Sequence, residues 1–151
     1  MASAEEILRQ ARTILVIDWP SRDVPDTLAR AGFTVVVRGG PGPEDYSVQD
    51  IVDGEVVPRP LGAAPRQADL VYSYRPIGEL PGIVSSARKM GATAVWRQSG
   101  LASSGTSDPK GCWVAETESR QARQIVESAG LDYIEQPYIA DAVRRITGEP
   151  G

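Results

Sequence analysis

Five short runs of branched and apolar residues alternate along this chain with segments of helical period, and that alternation constrains the fold more than any other feature. The runs are Thr13 to Asp18 (TILVID), Phe33 to Arg38 (FTVVVR), Asp69 to Tyr74 (DLVYSY), Ala92 to Gln98 (ATAVWRQ) and Leu131 to Glu135. The first two read as strands buried on both faces, because they carry apolar residues at consecutive positions rather than at every second one. Between the runs, Val24, Leu28 and Ala31 recur at helical spacing, as do Leu80, Ile83, Val84 and Ala87 within Glu79 to Met90. Further helices are expected at Glu116 to Ala129, at Ile139 to Ile146, and at Ala4 to Arg12, where Ser3 offers an N-cap. Gly32, Gly91 and Gly130 each follow a helical segment, the position where a glycine closes a helix. Strand and helix in alternation specify an α/β fold, here a five-stranded, mainly parallel sheet with helices on both faces.

Such a Rossmann-like three-layer α/β/α arrangement holds its ligands beyond the carboxyl ends of the strands. The Gly/Pro-rich stretch Gly39 to Pro43 and the small-residue loop Ser99 to Gly111 read as loops at that edge. Tyr46 to Ala68 is less regular and reads as a short helix near Val48 to Val52 followed by an extended piece at Glu55 to Val57. Neither a repeat nor a linker divides the chain, so residues 1–151 read as one domain.

Composition narrows the chemistry. The chain has no histidine, which removes the Ser/His/Asp triad, phosphohistidine chemistry and the commonest transition-metal ligand. Cys112 is the single cysteine, so neither an intrachain disulfide nor a cysteine zinc site can form, and no metal site is expected. Beside Trp113 and without an activating base, its thiol reads as inert. Twenty acidic residues against sixteen basic ones give a net charge of −4, and no Lys/Arg run offsets it, so nucleic acid is not an expected partner. Met1 to Arg12 lacks the apolar core of a signal peptide, and no apolar stretch is long enough for a membrane span. The expectation is a soluble cytoplasmic protein with no membrane partner.

Several strings then point to a family. Glu6 to Asp18 (EILRQARTILVID) resembles the first helix and strand of the small bacterial CoA-binding proteins, which are similar to the nucleotide-binding domain of the succinyl-CoA synthetase α subunit. Asp69 to Pro76 (DLVYSYRP) is similar to that family's strand ending in Arg-Pro, and Val95 to Leu101 (VWRQSGL) resembles its VWxQxGI string. The resemblance implies coenzyme A or an acyl-CoA laid across the ends of the first, second and fourth strands. Pyrophosphate would then lie near the turn Trp19, Pro20, Ser21 and Arg22, and adenosine near the loop from Arg38 and Gly39 to Gly42. The other edges of the site would be Arg75 and Pro76, and Arg97 to Gly100 with Gln98 and Ser99. The chain departs from the family twice: Asp18 stands where the family has a glycine directly after strand one, and Pro137 where a cysteine is usual after strand five.

Each candidate also has a plainer reading. Ser21 serves either as a helix N-cap or as an anion contact at a helix N-terminus. Arg22 reads as a phosphate ligand or as a solvated first turn, and Trp19 as a purine-stacking ring or as filler for a shortened loop. Arg38 stands after strand two, where an extra ribose phosphate is recognised in dinucleotide binders. Asp18 reads as a strand-end cap or as a ribose or acid–base group. The function expected is non-catalytic binding of coenzyme A or an acyl-CoA, with a separate protein as a possible partner in any chemistry. The alternatives are a scaffold or interaction module that keeps the fold alone, and a small nucleotide-using enzyme acting through Asp18.

Overall fold

Apolar side chains at consecutive positions of the central strands have to be covered on both faces, and the helices divide to do so. The computed structural model describes residues 2–148; Met1 and residues 149–151, expected in the same domain, lie outside the described residues. Helix α1 (Ala4–Gln10) leads into β1 (Thr13–Ile17), α2 (Asp23–Arg30) and β2 (Thr34–Arg38). Two further strands follow, β3 (Tyr46–Val52) and β4 (Glu55–Pro60), and then β5 (Leu70–Ser73), α3 (Leu80–Lys89) and β6 (Ala94–Arg97). Helix α4 (Glu116–Ser128), β7 (Asp132–Ile134) and α5 (Ile139–Thr147) complete the order.

Ile14, Val16, Val35, Val37, Tyr72 and Trp96 point to the face covered by α1, α2 and α5. Their neighbours Leu15, Ile17, Val36, Val71 and Val95 point to the face covered by α3 and α4. Ser3 caps α1 as expected, its hydroxyl accepting from the Glu6 N–H at 3.2 Å, and Gly32, Gly91 and Gly130 all take positive φ after their helices.

The sheet has seven strands in the order β4-β3-β2-β1-β5-β6-β7, against the five expected from sequence. The five expected strands are there and mutually parallel. The two additional ones form an antiparallel hairpin beside β2, with Val52 opposite Glu55 and Ser47 opposite Pro60. The segment expected as a short helix at Val48 to Val52 is therefore strand, and the extended piece at Glu55 to Val57 runs on to Pro60. The cause is Asp53-Gly54, with φ of 50° and 82°. Two successive positive-φ residues make the two-residue turn whose twist matches a hairpin, and Asp-Gly is among its preferred sequences.

Helices α2 and α5 are clamped where Asp23 accepts from the Tyr138 hydroxyl at 2.7 Å and pairs with Arg144. Partial burial raises the Asp23 carboxyl, but hydrogen bonds from Tyr138, Arg144 and Thr27, with the Arg144 charge, outweigh it and hold the group below its usual 3.8. A depressed folded value means that the stabilisation is complete above the unfolded value and is lost as pH falls through the folded one. Asp23→Asn is expected to cost about 1 kcal/mol at neutral pH. That difference should shrink in acid below the unfolded value, which denaturant melts at pH 7 and pH 2.5 would show.

Candidate functional site

The parallel strands run β2-β1-β5-β6-β7, so the chain direction across the sheet reverses between β1 and β5. A crevice opens beyond the carboxyl ends of strands at such a switch point, and open α/β sheets bind ligands there. The residue after β1 is Asp18, and Arg75 follows β5 by two. Their side chains meet across the switch point, Arg75 Nη1 donating to Asp18 Oδ2 at 3.0 Å, while Arg75 also pairs with Glu79 at 2.6 Å.

This ion pair is shared between two clefts. The first, about 340 Å³, is lined by Ile17, Asp18, Arg38, Gly39, Gly40, Pro41, Arg75 and Glu79. The second, about 510 Å³, runs over the ends of β5 and β6 between Pro76, Ile77, Gln98, Ser99 and Leu101 and the segment Trp113 to Ala115. In the first cleft two guanidinium groups face two carboxylates. The bond to Glu79 first, then the one to Asp18, drives Arg75 further into its charged form. Glu79 is held low, chiefly by its bond from Arg75 and in part by the nearby charge of Arg38.

Asp18 takes φ of 57°, the left-handed conformation that glycine adopts without strain. It takes a backbone shape open to glycine and brings a carboxylate to that position. One oxygen of that carboxylate accepts from the Trp19 N–H at 2.9 Å, a local bond that helps aspartate tolerate this region.

Of the residues singled out from sequence, Asp18, Arg38, Gly39, Arg75, Pro76, Arg97, Gln98 and Ser99 line these clefts, and Trp19, Pro20, Ser21 and Arg22 line neither. Trp19 packs against the core under α1, α2 and α5, with the Arg22 guanidinium 5.9 Å from its ring. Arg22, not Ser21, stands at the N-cap of α2, and its side chain makes no capping bond. That guanidinium donates instead to Asp26 at 2.6 Å and Gln49 at 2.8 Å. Gly39 gives its N–H to the Asp45 carbonyl at 3.0 Å, and Arg38 donates Nε to the Gly40 carbonyl at 3.1 Å.

Gln98 is the hub of the second cleft. Only 2% exposed, it accepts from the Tyr72 hydroxyl and donates to the carbonyls of Pro109 at 2.7 Å and Gly111 at 3.2 Å. The Gly111 carbonyl also takes the Gly100 N–H at 3.0 Å and the Ser99 hydroxyl at 3.4 Å. The loop from Ser99 to Gly111 is thus stitched to the sheet edge as one wall of the cleft. Trp96, expected in the core, is 1% exposed and donates its indole N–H to the carbonyl of Pro137.

Sequence reasoning missed Glu79, Trp113 and Glu118: Glu79 lies three residues beyond the string that ends at Pro76, Trp113 in a loop and Glu118 in the first turn of α4. Cys112 lies close by, its thiol pushed up to about 11 by burial, then by the charges of Asp141, Asp108 and Glu135, so almost none of it is thiolate at neutral pH. Among the described residues no cluster of ligating side chains could hold a metal ion, and no helix is long and apolar enough to cross a membrane.

Known proteins agree with this architecture. Prb, a protein redesigned for binding, superposes with a TM-score of 0.60 at 20% identity, covering 97% of this chain and 92% of that one. A hypothetical protein from Pyrococcus horikoshii gives 0.59 at 19% identity over 97% and 94% of the two chains. A protein from Thermus thermophilus gives 0.57 at 21% identity over 96% and 99%. At these identities the likeness is one of fold. No curated protein matches the chain. The model of the CoA binding domain family matches residues 12–139, which include both clefts and the strands that shape them. On that match the chain belongs to the CoA-binding domain family.

Proposed function

We propose that the chain binds coenzyme A or an acyl-CoA along the carboxyl edge of the sheet and carries no catalytic residue of its own. One observation supports this above the rest: the two clefts meet at the β1/β5 switch point and are flanked by Arg38 and Arg75, in a chain of the CoA-binding domain family. The first cleft has the guanidinium groups that phosphates need. The second, walled by Ile77, Leu101, Trp113 and Val114, suits the pantetheine arm and an acyl group. In this reading the phosphates lie toward Arg38 and Arg75 rather than toward Trp19 to Arg22, whose side chains are turned elsewhere. The domain senses, stores or presents its ligand in the cytoplasm, and chemistry on that ligand falls to a separate protein.

Calorimetry and thermal melting with coenzyme A test the proposal. At a hundredfold excess over Kd the ligand should raise Tm by about 5 °C or more. Arg38→Ala should weaken binding roughly tenfold, the value of a charge-assisted phosphate contact. Absence of any shift with coenzyme A and acyl-CoAs would leave a scaffold that keeps only the fold. Unchanged affinity in Arg38→Ala would move the phosphates away from the first cleft.

A further inference from the structure

Most of the polar side chains around the second cleft are committed. Gln98 spends its donors on the loop carbonyls, Ser99 bonds within the same loop, and Arg75 is held by Asp18 and Glu79. Arg97 differs. Its side chain is 5% exposed and gives Nη2 to Glu118 at 3.0 Å, while Nε and Nη1 are buried without a partner at full hydrogen-bond geometry, the Tyr133 hydroxyl facing the guanidinium from β7. The buried hydroxyl of Ser73 is likewise unpartnered. Ser73 and Arg97 are register partners on adjacent strands β5 and β6. By strand alternation both point to the α3/α4 face, opposite Tyr72 and Trp96. Two guanidinium nitrogens and a hydroxyl without full partners thus sit on neighbouring strands beside a cleft that Arg97 lines, and buried donors of this kind call for an oxygen acceptor.

The surroundings decide which kind. The Arg97 charge is already matched by Glu118, and Glu135, held by Tyr133 and Ser119, adds a second carboxylate on that side. A ligand anion would meet surplus negative charge, whereas a neutral carbonyl oxygen would not. The cleft walls beside it are apolar, formed by Ile77, Leu101, Trp113 and Val114. A hydrocarbon joined to a carbonyl satisfies both conditions.

Building on the reading of these clefts as an acyl-CoA site, we propose that Arg97, supported by Ser73, donates to the thioester carbonyl of an acyl-CoA and selects acylated over free coenzyme A. Glu118, bound to Arg97 through one oxygen and reaching solvent, is the group that gives way as the carbonyl arrives.

The test compares butyryl-CoA with S-butyl-CoA, which differ in the carbonyl alone, with free coenzyme A as reference, by calorimetry on the full chain. Butyryl-CoA should bind about tenfold tighter than S-butyl-CoA. In Arg97→Met, checked for folding by thermal melting, that ratio should fall to about one. Equal affinities in the unaltered protein would assign the orphaned donors to a resident water and overturn the proposal. The unaltered protein supplies this comparison, so the result stands even where the variant folds poorly. Binding of coenzyme A with no preference between the two analogues sinks only the role of Arg97. Failure of all three ligands to bind sinks the coenzyme A reading and this proposal with it.

Discussion

Gly111→Ala is expected to destabilise the protein by about 3 kcal/mol and to lower Tm by roughly 10 °C. A Cβ at this buried position would press on the backbone carbonyl and nitrogen of Leu101, the nitrogen at 2.7 Å. Backbone cannot rotate aside as the end of a flexible side chain can. Relief requires moving Gly111 itself, whose carbonyl collects the bonds from Gly100, Gln98 and Ser99. The damage therefore reaches the Gln98 hub and the wall of the second cleft, and acyl-CoA affinity should fall together with stability. Gly105→Ala is the control. That glycine has φ of +84° but nothing within 4 Å, so it should lose only about 1 kcal/mol to backbone conformation. Equal melting shifts for the two variants would show that close packing at Leu101 is not what fixes the loop.

Asp18→Gly should tighten coenzyme A binding by roughly tenfold at moderate ionic strength. Glycine suits a φ of 57° without strain. The substitution removes a carboxylate from the crevice and leaves Arg75 with Glu79 as its remaining ion-pair partner. Both changes favour a pyrophosphate, and because the groups are partly exposed the gain should shrink as salt is raised. The Trp19 N–H loses its acceptor while the left-handed strain is relieved, so stability should move by less than about 1 kcal/mol. Isothermal titration at two salt concentrations, with a thermal melt of the free variant, measures all three effects. Unchanged or weaker binding would mean that the ion pair at the switch point does not oppose the ligand.

The parallel core was legible because its strands need consecutive apolar residues and its helices a stripe of spacing near 3.6. TILVI and Leu80/Ile83/Val84/Ala87 satisfy those demands without help from tertiary context. The hairpin was not legible by that rule. Ile51, Val52 and Val57 are exposed on its strands, so the apolar pattern carries no burial signal, and the information sat in the turn pair Asp53-Gly54 instead. At the candidate site, Arg38 was placed at the ligand edge by its position after the second strand, whereas Arg75 and Gln98 were singled out through the family strings that contain them. The turn from Trp19 to Arg22 adjoins the same edge in sequence, but where its side chains turn is decided by partners as distant as Gln49 and the core under α5, which no local pattern encodes. Glu118 and Trp113 reach the second cleft through the path of a long loop and the start of α4, and their roles needed coordinates.

The mouth of the second cleft carries Trp113, 42% exposed, whereas Trp96 is sealed in the core and Trp19 is partly covered. The molecule thus holds its own optical gauge of that compartment. A guest that shields the Trp113 indole from solvent shifts its emission to shorter wavelength, and one confined to the first cleft leaves that indole as it was. Occupancy of the second cleft can be followed on its own in the unlabelled protein.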